Sequence, residues 1–446
     1  MKKISKENKK FFRTLAFLAI PIIASEILNA SVNLVDSFMV GSLGLNSING
    51  VGFANQIFFL FALVVFGINS GSSMFMGQYF GKGDEASVRK VMGIAGTVGF
   101  CAALVFFCLA EFAPRVILGL YTNSPDVLDE GEKYLRIAAP TYFLIAISWT
   151  ISAALKSCRQ TKIPLATTTI SLLTNVVLNY VFIFVLKWGV SGAAAATLIA
   201  RVLELAAAVT LIFTLKLPAA GKIRGYFIAD AAFLKSFFKL VLPVMLNEFC
   251  WALGTTTYNI AYKFAGNEAQ GAVQISNAVY NIFTVFAMGV GSACGIMISN
   301  VLGAGDSKLG IRYSKKAMIL VLCIGVVMCG VIIAASPAIV NIYNVSPEVR
   351  AMARSVLFVI AFGQIFKTYS YTTIVGILRS GGDTRFCLAC DVVGVWCIGV
   401  PCAFLGAAIL HLPIWAVVAM VLLEEVFKFF ITTWRVLSKK WAATIV

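Results

Sequence analysis

Twelve apolar runs of about 20 residues follow one another along the chain, centred near residues 26, 64, 101, 145, 175, 204, 248, 286, 329, 364, 397 and 425. Lipid offers the backbone no hydrogen-bond partner, so a run of about that length crosses a bilayer only as a helix that satisfies its own amides and carbonyls. Composition agrees. Of 446 residues, 60% are hydrophobic and 13% charged, whereas soluble domains carry roughly 45 to 50% and about 25%. The expected fold class is an all-α integral membrane protein of twelve transmembrane helices, with the lipid bilayer as its first partner.

The formal net charge of +16 would suit a nucleic-acid binder, so the placement of the cations decides what it means. With the N-terminus inside, the segments on the inner side hold 26 of the 36 Lys and Arg, the outer segments seven, and the spans three (Arg201, Lys367 and Lys428). This is the positive-inside bias of membrane proteins, and it puts both termini in the cytoplasm. No nucleic-acid partner is expected. The basic start resembles a signal peptide, but the apolar run behind it is span-length and no small-residue cleavage site follows at the right distance, so it reads as an uncleaved first helix.

Most of the eleven cysteines fall inside apolar runs, where thiols act as small packers. Cys387 and Cys390 form a lone C-x-x-C and the chain has a single histidine, so a zinc or redox role is not expected. No catalytic residue, cofactor or resident metal is expected either.

The chain repeats itself. A shift of 222 residues aligns Leu18 with Leu240, Pro21 with Pro243, Glu26 with Glu248, Asn55 with Asn277, and Gly81, Gly83 and Asp84 with Gly303, Gly305 and Asp306. One further residue brings LKSCRQTK at Leu155 onto LRSGGDTR at Leu378. A register kept this long implies two copies of a six-helix unit, residues 1–222 and 223–446, and an even number of spans per copy makes the repeat parallel. GKGD and GAGD are then the same inner loop written twice, with glycines supplying the turn and Asp capping the next helix. GKGD lacks the first glycine and the hydroxyl residue of a phosphate loop, so no nucleotide site is expected.

The stretch PIIASEILNASVNLVDSFMVGSLG, the loop GKGDEASVRK, and the second-copy GAGD and GILRSGGDT together resemble the multidrug and toxic compound extrusion family, of prokaryotic type, over nearly the whole chain. The resemblance implies a secondary active exporter in a bacterial inner membrane. It would expel small organic cations or drugs by alternating access, in exchange for protons or sodium ions, and act as a monomer. It implies no cofactor beyond that ion gradient.

Ionisable groups at membrane depth cost at least ~2.5 to 3.5 kcal/mol each and persist only if paired, hydrated or used. Glu26, Asn29, Asn33 and Asp36 fall at helical offsets 0, 3, 7 and 10, one face about 80° wide. That face either packs against another polar helix or lines a cavity. Thr168, Ser171, Asn175 and Asn179 make a face of span five, and span six adds Thr197. The resemblance implies a cation site at Asp36, Asn175, Asn179 and Thr197, with Glu26 next in line and a transient Na⁺ at Asp36. Asn179 departs from the pattern, because many relatives carry Asp there, and this puts the coupling ion in doubt.

In the second copy the same register reads Glu248, Trp251, Thr255, Tyr258 and Tyr262, one carboxylate among aromatics. With Asn33, Lys367 and Tyr371 these are the expected substrate contacts, since ring faces attract cations; the alternative is an aromatic packing face. Lys367 needs a partner at its depth, and Glu248 is the expected one. Arg201 with Glu204 and Glu424 with Lys428 stand at spacings that pair on one helix, which leaves Glu425 without an obvious partner. Pro21 and Pro243 interrupt the first span of each copy and mark expected hinges.

Two other classes stay open. A lipid-linked oligosaccharide flippase of the wider superfamily would line its cavity with cations to hold pyrophosphate. An integral membrane enzyme would need a nucleophile or paired Asp-rich motifs, which the sequence lacks.

Overall fold

The computed structural model describes residues 2–227, 230–343 and 345–446, and excludes the side chains of residues 2–6, 33, 34 and 342. Asn33 is thus a candidate whose side chain lies outside the described residues. Every regular element among the described residues is helical. The principal helices are α1 (Lys2–Gly41), α2 (Leu45–Lys82), α3 (Glu85–Phe112), α4 (Pro125–Ala138), α5 (Thr141–Ser157), α6 (Lys162–Asn179) and α7 (Gly189–Thr214). They continue as α8 (Ala231–Tyr262), α9 (Asn267–Gly303), α10 (Ser307–Ile342), α11 (Pro347–Tyr371), α12 (Thr384–Val392), α13 (Ile414–Val421) and α14 (Leu423–Leu437).

Ten helical spans among the described residues are long and apolar enough to cross a membrane, and α4 with α5, bent by 50° where they meet, make an eleventh. The expected count of twelve is therefore not reached by single continuous helices. The fourth run bends where Pro140 starts α5. The twelfth is divided at Leu422 into α13 and α14, and α14 carries Glu424, Glu425, Lys428 and Arg435 within 15 residues.

Two compact units divide the chain: Ile20–Val241, and Met1–Ala19 together with Leu242–Val446. The repeat in the sequence divides at 222/223, whereas the compact units divide just upstream of Pro21 and Pro243. Both prolines lie inside long helices, α1 and α8. Each removes the N–H that would bond the carbonyl four residues back, the usual cause of a helix bend.

In the unit Ile20–Val241, α2 packs on α3, α4 and α5, and α7 packs on α4, α5 and α6. Its core includes Phe61, Leu135, Tyr142 and Ile145, with the Phe61 and Tyr142 rings 4.9 Å apart. Helices α2 and α4 meet at Gly50 and Gly131, so closely that a Cβ on Gly50 would lie 2.7 Å from the Gly131 nitrogen. Close backbone approach through small residues is how helices associate where burial of apolar surface gives no drive. In the other unit α11 packs on α9, α10, α13 and α14. There a Cβ on Gly376 would lie 2.5 Å from the Gly291 carbonyl oxygen.

The doubled loop is the turn its sequence suggests. Gly83 and Gly305 have φ of 83° and 82°, a left-handed conformation open to glycine at little cost. The Asp84 side chain then accepts from the Ser87 amide at 3.0 Å, and Asp306 from the Leu309 amide at 2.9 Å. Arg89, further along the first loop, donates to the carbonyls of Pro218 (2.9 Å) and Ala220 (3.2 Å), which fixes the linker after α7. Nothing lies within 4 Å of a Cβ added at Gly83, so Gly83→Ala should cost only the conformational term, ~1 to 2 kcal/mol. Gly96→Ala, equally unobstructed but mid-helix, should be neutral or stabilising; thermal unfolding in detergent compares the two.

Candidate functional site

In the unit Ile20–Val241 three helices bring the expected polar residues together. Asn179, at the last turn of α6, donates its amide to the Asp36 carboxylate of α1. The same amide lies 3.2 Å from Asn175 Oδ1, one turn earlier on α6, and Asn175 Nδ2 donates to Thr197 Oγ1 of α7 at 3.3 Å. The Thr197 hydroxyl donates on to the Ala193 carbonyl at 3.0 Å. Asn175 and Asn179 are buried, at 1% and 0% exposure, and the Asn179 carbonyl oxygen has no hydrogen-bond partner. Immediately after Asn179 the backbone widens into a π-helical turn, Tyr180–Val185. Such turns change which way the following side chains point and recur at functional sites.

Asp36, Asn175 and Thr197 line a cavity with about 670 Å³ of empty space, counting its open mouth. Tyr134, Tyr142 and Phe58 form much of its wall, and among the described residues Asp36 is the one carboxylate in the lining. Arg201 also lines it, with its guanidinium 2.7 Å from Glu204 Oε2 on the same helix, so its charge is matched locally. Glu26 stands apart from this lining: it pairs with Lys156 of α5 at 3.0 Å.

The second unit is built on ion pairs; the expected Glu424–Lys428 pair forms, whereas the pairing of Glu248 and Lys367 differs from the expected one. Glu248 bonds Arg379 at 2.8 Å, not Lys367. Lys367 bonds Glu425 at 2.6 Å, which gives Glu425 the partner it lacked in the sequence. The Lys367 ammonium also stands 5.6 Å from the centre of the Trp251 ring. Lys428 meets Glu424 at 3.0 Å on its own helix and also Asp391 of α12 at 2.9 Å. Tyr258 donates its hydroxyl to Glu424, and Thr255 donates to the Ala252 carbonyl at 2.9 Å. Tyr371 packs against α9, where a Cβ on Gly291 would lie 2.9 Å from its ring. On the register face of α8, Trp251 thus engages α11, Tyr258 engages α14, and Glu248 engages Arg379.

Arg379, Asp391 and Asn247 are the members that the sequence reading missed, although the repeat held the signal. The 222-residue shift overlays Glu26 on Glu248 and, with the one added residue, overlays Lys156 on Arg379, and both pairs form. In the same way the 222-residue shift overlays Ser25 on Asn247, and the added residue brings Thr168 onto Asp391. Ser25 meets Thr168 at 3.3 Å, and Asn247 donates to Asp391 at 2.7 Å. A third match joins Ser157 to the Ser73 carbonyl (3.2 Å) and Ser380 to the Gly295 carbonyl (3.0 Å). The two units keep the same inter-helix contacts with different chemistry in them. The eleven cysteines, Cys387 and Cys390 included, are free thiols.

Comparison with known proteins gives the same division. The MatE family model matches twice, over residues 21–181 and 243–405. The probable multidrug resistance protein NorM of Thermotoga maritima is 22% identical over 95% of this chain and 92% of its own length. Multidrug and toxin extrusion protein 1 of Oryctolagus cuniculus is 23% identical over 87% of this chain and 68% of its own length. Among solved structures, an outward-facing multidrug resistance MATE family transporter of the MOP superfamily superposes with a TM-score of 0.86 at 16% identity, over 96% of each chain. The chain belongs to the MatE family and is a multi-pass membrane transporter, not an enzyme.

Proposed function

We propose that the protein is a secondary active exporter that expels organic cations or drugs across a bacterial cytoplasmic membrane by alternating access, in exchange for protons or sodium ions. The observation that carries the reading is Asp36: one carboxylate in the lining of an aromatic-walled cavity, bonded to Asn179 and through Asn175 to Thr197. An ionisable group at that depth is costly to keep without a use. The aromatic wall suits a lipophilic cation, at ~0.5 to 2 kcal/mol per well-placed ring. The names of the relatives, multidrug resistance and multidrug and toxin extrusion proteins, support the substrate class. In this reading both termini are cytoplasmic, the monomer is the working unit, no cofactor is used, and Pro21 and Pro243 are the hinges. Of the expected substrate contacts, Trp251 and Lys367 lie against each other in the second unit, 5.6 Å from ammonium to ring centre.

The flippase reading is not favoured, since the one arginine in the lining is paired with Glu204 and no cationic clamp for pyrophosphate results. The test is uptake of a fluorescent organic cation into everted membrane vesicles under an imposed proton gradient and, separately, a sodium gradient. Accumulation driven by either supports the reading; accumulation indifferent to both removes it. The Asn179 amide now occupies one side of Asp36 as a neutral donor. Asn179→Asp should change the ion preference or the pH dependence of uptake by at least about tenfold, since a second carboxylate shifts the local charge by a full unit. Unchanged ion and pH profiles would place the ion elsewhere.

A further inference from the structure

The segment that joins α7 to α8 carries an exposed basic and apolar surface that the export reading does not use. Gly189–Thr214 and Ala231–Ala265 are each long and apolar enough to cross a membrane, so the linker of residues 215–230 lies at a bilayer surface. Between residues 216 and 241 stand five cations, Lys216, Lys222, Arg224, Lys235 and Lys239, and one acid, Asp230. That acid is already engaged, since its carboxylate accepts from the Phe233 amide at 2.7 Å and caps α8. All five cations are exposed, and among the described residues none of their side chains reaches an ion pair or a hydrogen bond. Elsewhere in the same unit Arg89, Lys156 and Arg201 each have a carboxylate partner.

The linker is fixed from its protein side. Besides the two carbonyls held by Arg89, the Tyr226 hydroxyl donates to the Ala219 carbonyl at 2.6 Å. A Cβ on Gly93 would lie 1.9 Å from the Tyr226 carbonyl oxygen, so α3 and the helical turn Arg224–Phe227 meet backbone to backbone. With Tyr226 engaged in this way, Ile223 and Phe227 stand 78% and 67% exposed beside Lys222 and Arg224. The start of α8 continues the pattern. Phe233 and Phe237 stack on Tyr79 and Phe75 of α2, with ring centres 5.9 and 6.1 Å apart. One position further round the helix Leu234 and Phe238 are exposed, and Lys235 and Lys239 follow on the side away from α2.

We propose that Lys222, Arg224, Lys235 and Lys239, with Ile223 and Phe227 among them, form a binding site for the anionic headgroup of a phospholipid in the leaflet that the linker faces. Arg224 offers the planar fork that suits a phosphate, and the lysines have stems long enough to keep their charge at headgroup level. Ile223 and Phe227 enter the boundary between headgroups and acyl chains, the setting that interleaved basic and apolar side chains fit. A free phosphate would use the cations and leave those two apolar side chains in water, so the lipid is the occupant. Cations on the inner side also set the orientation of a chain during insertion. That role is over once the protein has folded, so lipid binding by the purified protein isolates the contact proposed. The site goes beyond the export reading, in which this leaflet is the cytoplasmic one, and does not depend on it.

Native mass spectrometry of the purified full-length protein tests the site. The protein in detergent is titrated with phosphatidylglycerol and, separately, with phosphatidylcholine of the same acyl chains, and the association constant of the tightest-bound lipid is compared. Each Lys or Arg near an anionic headgroup contributes a factor of about five, so the wild type should prefer phosphatidylglycerol by at least about tenfold. Replacing Lys222, Arg224, Lys235 and Lys239 together by Gln should reduce that preference to about twofold or less. The charge-matched control, Gln at the exposed Lys308, Lys315, Lys439 and Lys440, should keep it within about twofold of the wild type. Ile223→Ser with Phe227→Ser should weaken both lipids, and inorganic phosphate should displace neither. No preference in the wild type, a preference that survives the four substitutions, or an equal loss in the control overturns the assignment. Displacement of the lipid by inorganic phosphate overturns it as well, by making the site one for a free anion.

Discussion

Asp36→Asn should reduce gradient-driven export to background while leaving the amount of folded protein in the membrane close to wild type. The substitution keeps size and shape, and the new amide oxygen still accepts from Asn179 as Asp36 does now. Only the charge is lost. The contacts from Asn179 to Asn175 and from Asn175 to Thr197 remain, so a structural role for Asp36 predicts little change in export. A coupling role predicts loss of gradient dependence with substrate binding partly retained. Equilibrium dye binding and vesicle uptake, measured on the same preparations, separate the two. Export at the wild-type rate would move the coupling ion away from this cavity, and Glu26 would be next to examine.

The second large effect should appear at Glu248 and Arg379. Arg379 is 3% exposed, so Glu248→Ala takes the carboxylate partner from a guanidinium in a low-dielectric interior, a loss of ~3 to 5 kcal/mol, and Arg379→Ala takes the cation from the carboxylate at similar cost. The double substitution should cost clearly less than the sum. The repeat supplies an internal control in Glu26 and Lys156, the same pair in the same register, with side chains 34% and 19% exposed. Water screens that pair, so Glu26→Ala should cost only ~1 kcal/mol. Thermal unfolding in detergent over the two cycles is the measurement. Equal losses at both sites would contradict the burial argument, and a strong Glu248–Lys367 coupling would contradict the pairing seen here.

How much of the structure is legible in the sequence depends on which physical quantity sets each feature. Span-length runs and the 222-residue register report one-dimensional facts, so the all-helical membrane fold and the doubled loop with its Asp84 and Asp306 caps were legible. Asp36 and Asn175 were legible as candidates as well, because each lies on a polar face of an otherwise apolar helix, whereas Thr197 was singled out by the family resemblance. Partner choice was not. Periodicity gives the depth of Lys367 but not the rotation of α11 against its neighbours, and that rotation hands it to Glu425 and not Glu248. The break at Leu422 lacked a signal too, having no proline or glycine at the break itself; only the density of charge after it was visible. Arg379 was hidden by its place at the end of a span, where a cation reads as an inner-loop charge, although its overlay on Lys156 could have exposed it.

Reconstitution of the purified protein alone into liposomes, with an organic cation outside and an ion gradient imposed by dilution, tests the central claim most directly. The account predicts that a proton or sodium ion gradient directed outward from the lumen drives uptake of the cation. It further predicts that collapsing that gradient with the matching ionophore stops uptake, and that Asp36→Asn vesicles show none. Uptake that proceeds equally with no gradient, or that Asp36→Asn leaves intact, would contradict it.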